Sequence, residues 1–233
     1  MNDLFGKALL DYHQSPGEQQ LITWTSLTKE EPVPLAYFFR NYKEMKTIEQ
    51  KALALSHGKV LDIGCGTGSH SLYLQNEKGL TVSALDSSFG AAKIAKERGV
   101  NQVFHQSILD FKEGSFDTLL LMMNGLGVAQ NFQGVLPLLT HLKSLLAPQG
   151  QILLDSSDLI YLFEEEEQND WRNAEIYYGE LDFGIGYKEE TEEFPWLYLD
   201  FKHLSQAAEI AGLNCEKQLD GPNYDYLARL SLA

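Results

Sequence analysis

The amino-acid sequence predicts an α/β protein built on a doubly wound sheet of seven mostly parallel strands with an antiparallel last strand. Between residues 60 and 155, short apolar runs alternate with helical patterns, which is the order of elements in a parallel sheet with helical crossovers. A short turn at residues 220–223 joins the last two strand patterns, whereas a parallel connection needs about a dozen residues or more. The last strand must therefore run against its neighbour.

Each predicted element has its own local signal. Helices are predicted where apolar residues recur every three or four positions and Gly or Pro follows, and strands where short apolar runs end at turn residues. The expected helices are residues 4–12, 35–55, 69–75, 89–98, 135–146 and 201–211. The expected strands are residues 60–63, 80–86, 102–106, 118–123, 151–155, 175–184, 214–219 and 226–232.

Prolines and glycines mark the breaks between these elements. The two prolines of residues 32–34 indicate an extended linker. Pro137 is expected in the first turn of its helix, and residues 148–150 are expected to end that helix. A glycine-containing turn is expected near residues 184–186.

A single domain in four parts is expected. Residues 1–57 are interpreted as a helical cover, 58–158 as the cofactor-binding core and 201–233 as the last helix and hairpin. Residues 159–200 form an acidic and aromatic insertion, a candidate substrate lid, with a charge run at 164–167. From residue 158 to 193 there are 13 acidic side chains against two basic ones, which is either a hydrated flap or a surface that attracts a cation.

A glycine-rich turn follows the first predicted strand. An acid lies two residues before the first glycine, and glycines recur at alternate positions before a helical pattern begins. Glycine tolerates backbone angles that a Cβ disfavours and lets a ligand come close to the main chain. The turn therefore predicts a nucleotide-type cofactor site. Its candidate contacts are Asp62, Gly64, Cys65, Gly66 and Gly68.

A second carboxylate is expected at the same edge of the sheet. The next strand ends at Asp86, about twenty residues after the turn, where doubly wound sheets place the acid that binds ribose hydroxyls. Ser87 follows it and can cap the next helix. Dinucleotide oxidoreductases have a third glycine at the position of Ser69, and its absence here favours a different cofactor.

Residues 60–68 resemble motif I of the class I S-adenosylmethionine-dependent methyltransferases, and the likeness extends over about residues 37–232. The resemblance implies a Rossmann-like fold with S-adenosylmethionine as cofactor and a small-molecule acceptor, for which the insertion favours an amine or cationic compound. It also implies that the glycines approach the methionine part, that Asp62 orients the amino group and that Asp86 binds the ribose. An NAD-dependent oxidoreductase and a non-catalytic S-adenosylmethionine-binding protein stay open as alternatives.

Three further cofactor contacts follow from the same resemblance. Arg40 precedes the first strand and suits the cofactor's carboxylate. The family places an acid after the third strand against adenine; this chain has Ser107 there instead, with Ile108 expected against the ring. Asn124, at the end of the fourth strand, is expected near the transferred methyl group.

No catalytic base can be named from the sequence. Asn124, Asp155 and Asp158 are candidates by position alone, because they follow the fourth and fifth strands. Amino-methylating members of the family have prolines after the residue corresponding to Asn124, whereas Gly125 and Leu126 follow it here. Methylation of an amino group is therefore not inferred from this motif. The acceptor atom and the oligomeric state stay open.

Composition narrows the class of protein. The 233 residues are 44% apolar and 22% charged, as in globular proteins. A net charge of -15 with only 18 Lys and Arg argues against a nucleic-acid substrate. The two cysteines lie far apart, so neither a disulfide framework nor a metal site is expected. Without a spanning run or a signal pattern, a cytoplasmic protein with no membrane partner is expected.

Overall fold

Eleven strands and six α-helices make up residues 3–164 and 176–233, the part of the chain that the computed structural model describes. The strands are β1 (Gln20–Thr25), β2 (Thr28–Pro34), β3 (Lys59–Ile63), β4 (Thr81–Asp86), β5 (Gln102–His105), β6 (Phe116–Leu121), β7 (Leu146–Ser157), β8 (Glu180–Tyr187), β9 (Glu190–Leu197), β10 (Leu213–Asp220) and β11 (Asp225–Leu232). The helices are α1 (Leu4–Gln14), α2 (Thr47–Leu55), α3 (Ser69–Asn76), α4 (Phe89–Glu97), α5 (Phe132–Ser144) and α6 (Phe201–Ile210).

Seven strands form the main sheet in the order β10-β11-β7-β6-β3-β4-β5. The strands from β7 to β5 in this order pair in parallel, whereas β11 pairs antiparallel with both β7 and β10. The predicted fold class is confirmed, including the antiparallel last strand. Because the parallel strands point the same way, the carboxyl ends of β3, β4, β6 and β7 lie along one edge.

The central strands are buried on both faces. Leu119 and Leu121 of β6 share a core cluster with side chains of α5 and α6, and Leu120 between them belongs to the cluster that contains α2 and α3 residues. This alternation follows from the two-residue period of a strand. It explains why β6 has no polar residue after Thr118, as in other parallel sheets with both faces covered.

A second, four-stranded antiparallel sheet has the order β2-β1-β8-β9. Its hydrophobic face packs with α1, and the shared cluster includes Leu9, Leu21 and Ile185. The expected helical cover over residues 1–57 is therefore wrong in part, because it contributes two strands. Residues 32–34 lie in β2 instead of a linker; the prolines fit there because β2 is an edge strand and an edge needs no donor on its open side.

The expected helix over residues 35–55 is three separate helices. Short 3₁₀ helices cover Leu35–Phe39 and Tyr42–Glu44, and only Thr47–Leu55 is α-helical. Asn41 starts the second turn, since its side chain accepts a hydrogen bond from the Lys43 amide and its own amide donates to the Glu44 carboxylate. Apolar residues do recur every three or four positions, but these local hydrogen bonds divide the segment into three helices.

Two boundaries around α5 also differ from the prediction. The helix begins at Phe132 because the Asn131 side chain caps the Gly134 amide at 2.9 Å, so Pro137 lies in the second turn and not the first. It ends at Ser144, and residues 148–150 belong to β7.

The insertion holds β8 and β9, and β8 does not turn at residues 184–186. A Cβ on Gly184 would lie 1.9 Å from Trp24 Cε2, so the glycine makes room for the indole and the strand continues to Tyr187. Of the predicted charge run at 164–167, residues 165–167 lie outside the described residues, as does the start of the predicted strand at residue 175. Among the described helices, none has the length and apolarity needed to cross a membrane.

Candidate active site

The glycine turn between β3 and α3 is open on one side. Gly64 and Gly66 have φ values of +71° and +55°, and a Cβ built on either would meet no atom within 4 Å. Gly68 also has a positive φ, but its Cβ would lie 2.9 Å from Val100 Cγ2. The first two glycines thus leave the main chain accessible to a ligand, while Gly68 permits close packing.

Asp86 links the end of β4 to this turn. Its carboxylate accepts hydrogen bonds from the Gly66 amide and the Ser88 amide, each at 2.8 Å. Burial raises the pKa of Asp86 to about 6. Each carboxylate oxygen keeps a further lone pair for a hydroxyl donor. Ser87 uses its carbonyl oxygen in a 3.1 Å contact with His105 Nε2.

Asp62 and Cys65 lie on the protein side of the turn. The Asp62 carboxylate accepts a 2.5 Å hydrogen bond from the Ser71 hydroxyl of α3, and burial raises its pKa. The Cys65 side chain packs with Ala84 and Ala95, and burial raises its thiol pKa well above the usual value. The Cys65 main chain is engaged as well, because its amide donates to the Leu85 carbonyl at 3.1 Å and its carbonyl accepts from the Gly68 amide at 2.9 Å. Asp62 and Cys65 therefore hold the turn in place from the protein side.

Arg40 belongs to a buried ion-pair network. Its guanidinium pairs with Glu49, which also accepts a 2.8 Å hydrogen bond from His70 Nε2. Burial alone would raise the pKa of Glu49, but the hydrogen bond and charge of His70, with Arg40, lower it. Arg40 Nε is buried and has no hydrogen-bond partner among the described residues.

Two polar side chains that the sequence analysis missed fix the cover over the turn. The Thr67 hydroxyl donates to the Phe38 carbonyl. Arg98 Nη1 donates to the Thr67 carbonyl at 2.7 Å, and its Nη2 donates to the Phe39 carbonyl at 3.4 Å. Arg98 resembled an ordinary charge at a helix end, so no local pattern marked it.

The two residues expected near adenine, Ser107 and Ile108, differ in burial. Ser107 is half-buried after β5 and accepts a hydrogen bond from the Leu109 amide at 3.2 Å. Ile108 is only 3% exposed and packs in the main core with Phe111. Ile108 therefore presents little side-chain surface, and its contact with a ring stays a prediction. The exposed apolar side chains around the end of β5 are Leu109 and Phe89, whose ring lies 5.5 Å from that of His105.

The Asn124 side chain is engaged in hydrogen bonds that hold the fold together. It adopts a left-handed conformation, with φ +58°; its amide side chain donates to the Leu197 carbonyl at 3.0 Å and accepts from the Ser156 hydroxyl at 2.7 Å. It thereby joins the second sheet to β7. Both the nitrogen and the oxygen of the Asn124 side-chain amide are therefore engaged in hydrogen bonds within the protein.

Asp155 lies beside Asn124 with only one of its oxygens engaged in a hydrogen bond from the described residues. Asp155 Oδ1 accepts from the Asn124 backbone amide at 3.0 Å. Burial raises the pKa of Asp155 to about 7. A carboxylate that titrates near neutrality is suited to accept a proton from a substrate.

Asp158 supports the chain after β7. Its carboxylate accepts from the Ile160 amide at 2.9 Å and from the Tyr178 hydroxyl at 2.8 Å. Tyr178 also contacts Asp200, which accepts a 2.6 Å hydrogen bond from Tyr177. This network orders the chain before β8, so Asp158 is brought to the edge of the sheet as a structural residue.

A groove of about 270 Å³ lies between the second sheet and the chain that follows β7. Its walls include Trp24 and Phe183 on the sheet side and Leu159 and Tyr161 on the other. Tyr198 also lines it; burial and then the charge of Asp155 raise the pKa of its hydroxyl to about 12. Tyr198 therefore lines the groove and lies close enough to Asp155 for that charge to act on its hydroxyl. No sequence pattern signalled this proximity.

The chain matches the family model described as a methyltransferase domain over residues 38–218. An S-adenosylmethionine-dependent methyltransferase from Bacteroides fragilis, crystallised with S-adenosyl-L-homocysteine, is 40% identical to it. The two structures superpose with a TM-score of 0.89 over 99% of this chain and 95% of that one. None of the curated proteins matches this chain.

More distant structures are similar in fold alone. A sugar N-methyltransferase from a Streptoalloteichus species is 14% identical, with a TM-score of 0.54 over 84% of this chain and 87% of that one. An amino pentose methyltransferase from Micromonospora echinaspora, with bound S-adenosylmethionine, is also 14% identical, with a TM-score of 0.54 over 81% and 92% of the two chains.

Proposed function

Since this chain belongs to the S-adenosylmethionine-dependent methyltransferases, we propose that it methylates an amine nitrogen of a small molecule bound in the groove beside Tyr198. S-adenosylmethionine is the cofactor, so the oxidoreductase and non-catalytic alternatives are set aside. The observation that carries the proposal is the buried carboxylate of Asp155, whose charge acts on Tyr198 in the wall of that groove and whose pKa is raised to about 7 by burial.

The residues around the glycine turn fit this cofactor. Gly64 and Gly66 leave room for its methionine part over the main chain, and the free lone pairs of Asp86 suit the ribose hydroxyls. Arg40 Nε is an unpaired buried donor for the cofactor's carboxylate. When bound, S-adenosylmethionine supplies an electrophilic methyl carbon on a positively charged sulfur.

Gly64→Ala and Gly68→Ala are expected to fail in different ways. The new Cβ at position 64 enters the open space over the turn, so affinity for S-adenosylhomocysteine should fall by about tenfold or more, or about 1.4 kcal/mol. At position 68 the Cβ meets Val100, so the main loss should be about 1–3 kcal/mol of stability. Calorimetry and thermal unfolding distinguish them; an equal loss of affinity in both variants would contradict these separate roles.

The protein's chemical task is to hold the acceptor, exclude water and take up a proton. An amine is mostly protonated at neutral pH and must lose that proton to attack a carbon. We assign Asp155, one oxygen of which is held by the Asn124 amide, as the group that receives it, because the charge of this carboxylate acts on Tyr198 in the groove wall. Alignment of the reacting groups supplies most of the remaining rate enhancement in such a reaction.

Other features agree with an amine acceptor. Aromatic faces in the groove, at Trp24, Phe183 and Tyr198, attract cations. The surplus of acidic side chains in the insertion raises the local concentration of amines and opposes nucleic acid. Two fold neighbours are described as a sugar N-methyltransferase and an amino pentose methyltransferase.

A paired-acceptor assay tests the proposal. Each amine in a panel of ring and chain amines is compared with the alcohol and the thiol of the same skeleton, and formation of S-adenosylhomocysteine is measured. We expect turnover with amines, and kcat/KM that rises with pH through an apparent pKa near 7, the value for Asp155. Turnover confined to alcohols or thiols would overturn it.

A further inference from the structure

Two exposed tyrosines stack at the mouth of the groove. The rings of Tyr161 and Tyr224 are 4.6 Å apart and 11° from parallel. Tyr161 lines the groove, and Tyr224 lines a second cleft of about 420 Å³ beside the β10–β11 turn. Since the two clefts are lined by consecutive residues, Ser157, Asp158 and Leu159, the stacked pair lies where they meet.

Tyr224 adopts a backbone conformation that does not suit it. Its φ is +57°, a left-handed conformation that is a genuine outlier for a bulky residue and strains the backbone. The turn is held by other groups: the amides of Gly221 and Asn223 bond to Asp225, and the Tyr224 carbonyl accepts from the Asp158 amide at 3.0 Å. Glycine or asparagine would form the same turn at lower cost.

The stabilisation that this stack provides does not explain why residue 224 is a tyrosine. The side chains remain 46% exposed at Tyr161 and 62% exposed at Tyr224, so they bury little area. The stacking of a single exposed aromatic pair is a weak interaction that at most offsets the backbone strain. Strained residues of this kind concentrate at ligand sites, and a ligand ring that covered the pair would add the missing burial.

We propose that Tyr161 and Tyr224 form a platform on which the ring of the acceptor lies, so that the preferred acceptor is a ring-bearing amine and not an open-chain one. The inference rests on the proposed amine methylation, because it places the amine toward Tyr198 and the ring toward the solvent. An aromatic ring and the apolar face of a sugar ring share the chemistry that a tyrosine platform recognises.

Binding of four probes to the enzyme saturated with S-adenosylhomocysteine tests the platform. Tryptamine and methyl glucosaminide are ring amines, tryptophol is the alcohol on the tryptamine skeleton, and hexylamine has no ring. The variants are Tyr224→Asn, which suits the backbone conformation without a ring, Tyr224→Phe, which keeps the ring, and Tyr161→Leu. Ile210→Ala, at an exposed apolar residue of α6 outside both clefts, is the matched control.

Tyr224→Asn and Tyr161→Leu are expected to weaken tryptamine and tryptophol binding roughly three- to tenfold, the effect of one aromatic contact. Tyr224→Phe and the control should stay within about twofold, and hexylamine should not change. Equal weakening of methyl glucosaminide identifies a sugar face as a second source of the ring. Unchanged tryptamine affinity in both ring-deleting variants, or equal weakening of hexylamine, would overturn the platform.

The test separates this inference from the proposed function. Tryptophol has no amine, so a ring-dependent loss of its binding supports the platform whatever atom is methylated. If amines were not methylated but tryptophol binding still depended on the two tyrosine rings, the proposed function would be wrong and the platform would still be supported.

Discussion

Asp155→Asn is expected to lower kcat/KM for methyl transfer to an amine by about 100- to 10,000-fold, the range for loss of a general base. The asparagine oxygen still accepts the Asn124 amide that holds Asp155 in place, so the local fold should persist. Affinity for S-adenosylhomocysteine should stay within about threefold. Initial rates and calorimetry measure the two effects. A variant with normal turnover would remove Asp155 from the mechanism.

The stability of the wild-type protein should depend on pH in a way that the same variant does not share. Burial raises the pKa of Asp155 to about 7 in the folded protein, above the value of about 4 in an unfolded chain. Between these values the folded state binds a proton that the unfolded state has released, so wild-type stability falls as pH rises from about 4 to 7. Asp155→Asn lacks this loss.

Thermal unfolding at pH 5 and pH 8 measures that difference. Relative to wild type, Asp155→Asn should gain on the order of 2 kcal/mol at pH 8 over its value at pH 5. Asp110→Asn, at an exposed carboxylate, is the control and should show no such change. A difference between Asp155→Asn and wild type that is the same at both pH values would contradict the burial of an ionisable Asp155.

Asp86→Ala is expected to reduce affinity for S-adenosylhomocysteine by about 100-fold or more. The change removes the carboxylate proposed to bind the ribose and leaves the amides of Gly66 and Ser88 without their acceptor. Hydrogen bonds to a charged group contribute about 1.5–3 kcal/mol each, so two ribose hydroxyls account for a loss of this size. Calorimetry at fixed pH measures it.

Asp86→Asn is the matched variant for that experiment. It keeps one acceptor oxygen for the backbone amides, so its loss of affinity should be smaller, about tenfold. If Asp86→Ala bound the cofactor product as tightly as wild type and unfolded at the same temperature, neither role assigned to Asp86 would stand.

The main sheet could be predicted from the sequence because its signals are local. The apolar run of β6 requires two covered faces, glycines at 64, 66 and 68 require a turn with positive φ, and the four residues between β10 and β11 require an antiparallel pair. Each of these patterns lies within about ten residues and reports on its own backbone. The motif I resemblance then assigned the cofactor.

Contacts between distant segments could not be predicted in this way. Nothing in residues 20–34 indicates that β1 pairs with β8, because β8 lies more than 150 residues later in the chain and is brought beside β1 only by the tertiary fold. The contacts of Glu49 with Arg40 and His70 could not be predicted for the same reason. The hydrogen bonds of Asn124 with Leu197 and Ser156 are a further example.

The sequence by itself determined the fold class, the glycine turn and the family of this protein, because short-range periodicity, glycine conformation and strand order are written in neighbouring residues. Only the tertiary structure decided which polar groups are free to act. One oxygen of Asp155 accepts no hydrogen bond from the described residues, and burial raises the pKa of this carboxyl to about 7. The side chains of Asn124 and Asp158 are engaged in hydrogen bonds instead. Burial and hydrogen-bond partners are set by residues far away in the chain.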